Sequence, residues 1–347
     1  MSRIYLDHNA TAPLRREARD AMIAAMDVTG NPSSVHAEGR AAKAIVERAR
    51  ADLAEAVGAM AADIVFVSGA TEAAALALGD RGLDGAAIEH DAVAAWVSDT
   101  LAVDGQGRVT VPEPARATLQ LANSETGVIQ SLPQGLAVSD ITQGFGRIPF
   151  AFDWAGLDMA ILSAHKFGGP KGVGALIVKR GTEVAARIRG GGQEMGRRAG
   201  TENVIGVAGM AAAAKAAQRD LDAGAWARVE SLRDMMEQAV ENAAPDLIFA
   251  GRDAARLPNT SCFAARGWKG ETQVMAMDLA GIAISAGSAC SSGKVRASRV
   301  LTAMGHDEET ARSAIRVSLG LETTEEEVTR FAQAWASAYG KMRARAA

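Results

Sequence analysis

Between residues 38 and 57, Ile45, Ala49, Leu53 and Val57 recur every four positions among Arg and Glu. That period predicts an amphipathic helix with one buried stripe. Ile64-Val65-Phe66-Val67 then breaks the period with a continuous apolar run, the mark of a strand buried on both faces. Ser68-Gly69-Ala70-Thr71-Glu72 turns the chain into an Ala- and Leu-rich helix beginning near Thr71. Further short apolar runs at 86–88, 118–121, 159–162 and 175–178 are separated by polar or Gly-bearing stretches. This alternation predicts buried parallel strands with intervening helices.

Beyond Thr201 an alanine-rich stretch reaches about residue 244 with a mild break at 222–224, a length suited to long helices joining two domains. Apolar runs at 259–264, 282–285 and 315–319 follow, alternating with helical stretches at 271–279, 299–304 and 324–339. At 347 residues the chain exceeds most single cores. We therefore expect an α/β protein whose large domain, residues 13–222, has a mainly parallel central sheet. Residues 1–12 and 223–347 are expected to form a smaller α+β domain.

Hydrophobic residues at 48% and charged residues at 22% describe an ordinary globular chain. The net charge of −4 gives no electrostatic case for nucleic acid. No stretch reaches the ~18 apolar residues of a membrane span, and the first residues lack a signal-peptide core. A cytoplasmic protein without membrane contact is expected. The two cysteines show no disulfide framework and no metal-ligand spacing. Cys262 sits in an apolar run and reads as an inert core thiol. Cys290 sits among small residues in Gly287-Ser288-Ala289-Cys290-Ser291-Ser292-Gly293 and reads as a working one.

Lys166, in Ser163-Ala164-His165-Lys166-Phe167, is a candidate for imine chemistry. An amine reacts with carbonyls only when deprotonated, and desolvation or a neighbouring cation favours that form. His165 is such a neighbour when charged. The turn at Ser68 to Glu72 would present free N–H groups to a phosphate, or serve only as a helix cap. A second Gly-rich loop, Gly190 to Thr201, carries Arg197 and Arg198 and opens a helix; a linker is its plainer reading.

Asp140 follows the run at 136–138, at the carboxyl end of a strand where open sheets bind ligands. There it could hold a protonated pyridine nitrogen or act as a turn residue. His90 follows the run at 86–88, where its ring could stack on an aromatic cofactor or be an ordinary half-buried histidine. In Ile315-Arg316-Val317-Ser318-Leu319, Arg316 shares a strand face with Ser318. An arginine there suits a bidentate hold on a carboxylate or a structural ion pair.

Taken in order, Tyr5-Leu6-Asp7-His8-Asn9-Ala10-Thr11, Gly30-Asn31-Pro32-Ser33-Ser34, Ser68 to Glu72, His90, Glu125-Thr126-Gly127, Asp140 to Gln143, Ser163 to Lys166, Gly190 to Thr201, Ser288-Ala289-Cys290 and Ile315 to Gly320 carry a family likeness. The set resembles the cysteine desulfurases of the nitrogen-fixation and iron–sulfur-cluster type, class V proteins of the aminotransferase fold (fold type I) that use pyridoxal phosphate. The resemblance implies that Lys166 is the Schiff-base lysine, Asp140 the pyridine-nitrogen partner, and His90 the stacked ring and acid or base. It implies Gln143 and Ser124 as further cofactor contacts. Ala70, Thr71, Ser163 and His165 would hold the phosphate. Thr201 would reach the partner subunit's phosphate, implying a homodimer. Arg316 and Ser124 would meet the L-cysteine substrate. Cys290 would take its sulfur as a persulfide, releasing alanine and passing the sulfur to an acceptor protein such as an iron–sulfur scaffold. No metal is implied.

The chain departs from that pattern in several places. Ser124 stands where the family usually carries Asn, so that Asn123 or a water compensates or the chemistry is weakened. Residues 131–139 are too few for a helical crossover, so the helix expected there is missing. The stretch 90–123 is trimmed, and little chain follows the final helix, where relatives carry a tail that meets the scaffold. Two other readings stand beside the desulfurase: another class V reaction such as selenocysteine cleavage or transamination, and a catalytically weakened paralogue acting as a sulfur-transfer scaffold.

Overall fold

The computed structural model describes residues 3–287 and 297–346. Cys290, with Ser288 and Ala289, lies outside the described residues. The apolar run at 64–67 forms the strand Ala62–Val67, whose side chains alternate between two cores. Ile64 and Phe66 join the core beneath the helices Ala37–Ala56 and Val204–Asp222. Val65 and Val67 join the core beneath Ala70–Leu78. A strand with cover on both faces must be apolar at every position, which explains the unbroken run.

Ala62–Val67 pairs antiparallel with Gly174–Lys179, which pairs antiparallel with Leu157–Ser163, which pairs parallel with Leu136–Asp140. Residues 117–121 extend this order: the Leu119 and Leu121 N–H groups donate to the Val138 and Asp140 carbonyls at 3.1 and 2.8 Å. Parallel pairing continues through Asp84–Ala86 to Ser98–Leu101. The sheet is thus mainly parallel, but Gly174–Lys179 runs against both neighbours, contrary to the parallel strand expected at 175–178. Residues 164–173 are too short for a helical crossover, so the chain must return antiparallel. Among the described residues no helix stands between 117 and 151, as the short connection before Leu136 implied.

The topology has one consequence for function. Ala62–Val67, residues 117–121, Leu136–Asp140 and Leu157–Ser163 all point the same way. Their carboxyl ends, and with them Ser68, Ser124, Asp140 and Ser163, therefore emerge along one edge.

The alanine-rich stretch divides at Gly224, whose φ of 69° is open to glycine at little steric cost. Before the break, Val204–Asp222 packs against Arg16–Met26 and Ala37–Ala56. After it, Trp226–Ala243 joins a second core around Phe263, Phe331 and Trp335. That core lies under an antiparallel sheet in the order Ser285–Ala286, Ala314–Ser318, Thr260–Ala264, Ile248–Phe249. Trp335 is fully buried, stacks on Tyr339 at 5.2 Å and donates to Gln273 Oε1. Ile4 and Leu6 belong to this second core, and Ile4–Tyr5 pairs with Ile282–Ala283. Beyond them residues 7–12 run to the edge where the strands end. No helix of the described residues is long and apolar enough to cross a membrane.

Gly174 lets the turn at Ser68–Thr71 lie against the sheet. A β-carbon there would fall 2.6 Å from Gly69 Cα and from the Leu162 carbonyl oxygen. Gly174→Ala is expected to lower stability by about 1–3 kcal/mol in urea unfolding; an unchanged midpoint and slope would show that the turn is not packed this tightly.

Candidate active site

The carboxyl edge of the sheet encloses a cavity of about 600 Å³, within the range of small-molecule sites. Lys166 lies on its wall, on the turn Ala164–Lys166 that follows Leu157–Ser163. Its Nζ donates to the carbonyl oxygens of Asn9 and Ala10 at 2.7 and 2.9 Å. Burial, then Arg316 and Arg147, push its pKa down to about 8, against the opposing pull of Asp140 and Asp7. Burial and two guanidinium charges thus bring the amine's reactive neutral form within reach at mildly alkaline pH.

His165 is not the neighbouring cation expected from the sequence. Burial first, then Lys166 and Lys171, hold its pKa at about 4, so the ring is neutral near pH 7. Its Nδ1 lies 3.2 Å from Thr11 Oγ1. The cations acting on Lys166 are instead Arg147 and Arg316, distant in sequence.

Asp140 ends the strand Leu136–Asp140 and lines the cavity, with Oδ1 accepting the Thr142 N–H at 2.9 Å. Gln143, one turn further on, donates from Nε2 to the Asn9 carbonyl at 3.0 Å and accepts at Oε1 from Arg147 at 2.5 Å. His90 caps the short helix Asp91–Ala94, and its Nδ1 accepts the Ala92 N–H at 3.1 Å. With Nδ1 so engaged, the neutral ring carries its proton on Nε2.

Ser68 to Thr71 also wall the cavity, together with Ser163 and His165. No side chain caps the helix Ala70–Leu78 at Gly69. Only half of a capping box forms: the Ser68 N–H donates to Glu72 at 2.8 Å, and Glu72 is held by Arg198 at 3.0 Å. An uncapped helix start next to Thr71, Ser163 and His165 is suited to an anion.

The loop from Gly190 to Thr201 is no linker. Buried Glu194 binds Arg50 at 2.8 and 3.0 Å and accepts the Phe66 N–H at 2.9 Å. Arg197 pairs with Asp63 at 2.9 Å. These ties fasten the loop to the sheet and to Ala37–Ala56. Thr201 is exposed and does not line the cavity.

Ser124 faces the cavity, and its carbonyl accepts from Arg316 Nη1 at 3.0 Å. Asn123 is not free to stand in for the family's Asn. Its Nδ2 donates to the Ile88 carbonyl, while Oδ1 accepts from the N–H groups of Glu125 and Thr126, all within 3.0 Å. Arg316 does not line the cavity. It is 8% exposed and pairs with Asp7 at 2.8 Å, yet among the described residues its buried Nε has no acceptor. The ion pair expected as one reading of Arg316 is present, and with Nη1 and Nη2 engaged by Ser124 and Asp7, Nε is left open among the described residues. Cys262 is buried, and burial pushes its thiol up to about 12, the inert core cysteine expected.

Four further residues belong to this site. Asn9 accepts from both Lys166 and Gln143, and Lys171 lines the same cavity. Arg147 lies buried behind Gln143. Glu89, 1% exposed, accepts the Gln120 N–H at Oε1 while its Oε2 has no partner among the described residues. Burial, and to a lesser degree Asp140, raise the pKa of Glu89 to about 8. Glu89 and Arg147 adjoin motif residues in sequence, beside His90 and four positions after Gln143. That adjacency was the only signal for either.

The chain matches the family model of class-V aminotransferases over residues 4–93 and 109–331; the break falls in the stretch read as trimmed. A cysteine desulfurase of Cereibacter sphaeroides is 38% identical, the alignment covering 95% of this chain and 94% of that one. The cysteine desulfurase IscS of Dictyoglomus turgidum is 36% identical over 94% and 91% of the two chains. Among solved structures, a NifS-like protein from Rickettsia africae superposes with a TM-score of 0.89 at 32% identity, covering 97% of this chain and 99% of its own. SspA, solved in complex with cysteine, gives 0.75 at 26% identity over 92% and 100%.

The environment of Glu89 sets a pH dependence. A carboxyl group whose folded pKa is raised from 4.5 to about 8 stabilises the fold most below its unfolded value and loses that contribution as pH rises to 8. Urea unfolding of the wild type is expected to weaken between pH 5 and 8 relative to Glu89→Gln, by at most about 1.4 kcal/mol per pH unit. Parallel profiles for the two proteins would contradict a protonated Glu89.

Proposed function

The chain belongs to the class-V aminotransferase family and is an enzyme of its cysteine desulfurase group, and from that premise we propose that it converts L-cysteine to L-alanine at the cavity beside Lys166. The observation that carries this reading is the buried amine of Lys166, held close to neutrality among Arg147, Arg316 and Asp140. The complex of SspA with cysteine supports the choice of substrate.

The donor set fits pyridoxal phosphate as the cofactor. Ala70 and Thr71 at the uncapped helix start, with Ser163 and His165, would receive the phosphate, and Asp140 would hold a proton on the ring nitrogen. Gln143 would donate to the phenolic oxygen and His90 would cover the ring face. Lys166 provides the amine that attaches the group. When bound, the cofactor supplies an electron sink for the substrate carbon skeleton.

The protein's own groups then divide the work. His90, with Nδ1 engaged by Ala92, moves a proton at Nε2. Arg316 offers its unpartnered Nε to the substrate carboxylate; a buried donor left open costs about 1–3 kcal/mol, which an incoming acceptor relieves. Ser124 presents a short hydroxyl to the substrate side of the cavity. Cys290 would take the substrate's sulfur: a sulfur–sulfur bond forms, the carbon–sulfur bond breaks with its electron pair staying on the carbon, and that carbon takes up a proton as alanine is released. The persulfide then passes to an acceptor protein such as an iron–sulfur scaffold. Thr201, exposed on the tethered loop, would reach the phosphate of a second copy in a homodimer, and the protein would work in the cytoplasm.

Purified protein given pyridoxal phosphate, L-cysteine and a thiol reductant is expected to release alanine and sulfide in equal amounts. Cys290→Ser should lower sulfide release at least about 100-fold while the cofactor's visible absorbance is retained; wild-type rates in that variant would rule out the persulfide role. Arg316→Lys should raise KM for L-cysteine about tenfold with a smaller change in kcat, because the Nε–H donor is lost and the charge kept. Unchanged KM would remove Arg316 from the substrate site.

A further inference from the structure

Arg147 is a buried cation that makes no ion pair among the described residues. It is 4% exposed, and burial followed by Arg316 draws its pKa down to about 9. All of its hydrogen bonds go to neutral oxygens. Nη1 donates to Asn9 Oδ1 at 3.1 Å, to the Gln143 carbonyl at 3.1 Å and to Gln143 Oε1 at 2.5 Å, and Nη2 donates to the Lys166 carbonyl at 3.1 Å. Holding a full charge in the interior against neutral acceptors is costly. Structure alone would be served more cheaply by a neutral side chain.

Two features show what the charge does. The Gln143 amide is gripped from both sides, its Oε1 by the guanidinium and its Nε2 by the Asn9 carbonyl. A flipped amide would set NH2 against guanidinium and oxygen against oxygen, so this orientation is forced. The second Nε2 hydrogen is then the hydrogen that Gln143 has left to give. The other feature is Lys166. Its Nζ donates to the same Asn9 carbonyl, and the charged groups acting on it are Arg147, Arg316, Asp140 and Asp7. His165 and His8 are both neutral near pH 7, with burial the first cause in each. Arg147 and Arg316 are thus the cations that oppose protonation of the amine.

We propose that Arg147 is a positioning residue for this reaction: it fixes the Gln143 amide with a donor free for the cofactor, and it keeps a positive charge behind Lys166 that favours the reactive amine. The inference rests on the reading of Lys166 and Gln143 given above, and its first test needs no cofactor.

Cofactor-free protein can be labelled with trace acetic anhydride across pH and Lys166 acetylation followed by mass spectrometry. The labelling midpoint is expected to rise by about one pH unit in Arg147→Gln and to stay near the wild-type value in Arg147→Lys. Equal midpoints in all three proteins would overturn the electrostatic half. The Gln143 half is read from the dissociation constant of pyridoxal phosphate. Arg147→Lys should weaken binding about tenfold when Gln143 is present and have little effect in a Gln143→Ala background. The same loss in both backgrounds would overturn it. Failure of desulfurase activity in the wild type would leave the labelling result standing, so the two readings fail separately.

Discussion

The amine of Lys166 ties the molecule's two halves together. Its Nζ reaches the carbonyls of Asn9 and Ala10, in a segment that has just left the second core through Ile4 and Leu6. The guanidinium of Arg316 comes from Ala314–Ser318 of that same half. Arg147 and Asp140 come from the sheet side. A lysine buried at this junction is charged or neutral according to burial first and then to charges from both halves. The Asp7–Arg316 pair and the Arg316 bond to the Ser124 carbonyl serve the same junction.

The sheet makes the junction possible. Parallel strands deliver Ser68, Ser124, Asp140 and Ser163 to one edge, and the short return at 164–173 places His165 and Lys166 there as well. That return forces Gly174–Lys179 to run antiparallel and demands glycine at 174, where the Ser68–Thr71 turn leaves no room for a β-carbon. Topology, a steric constraint and the anion-receptive helix start are thus one arrangement.

Much of this was legible in the chain because it is local. The four-residue stripe at 38–57, the unbroken run at 64–67 and the alanine-rich stretch broken at Gly224 became Ala37–Ala56, Ala62–Val67 and the helix pair Val204–Asp222 and Trp226–Ala243. Asp140 and His90 were placed by their positions after apolar runs, and the ordered motifs supplied the family. What could not be read depends on distant partners. The cations beside Lys166 are 19 positions upstream and far downstream, not next door at His165. Nothing local says that Asn123 is consumed by its own turn, or that Glu89 is buried with its Oε2 unpartnered among the described residues.

Lys171 shares the cavity with Lys166, so the claim that Lys166 is the cofactor lysine has a built-in rival. Protein reconstituted with pyridoxal phosphate can be reduced with borohydride, digested and mapped by mass spectrometry. The structure calls for a pyridoxyl group on Lys166, the amine that burial and two arginines hold near a pKa of 8. A pyridoxyl group on Lys171 instead, or on no cavity lysine, would contradict the account at its centre.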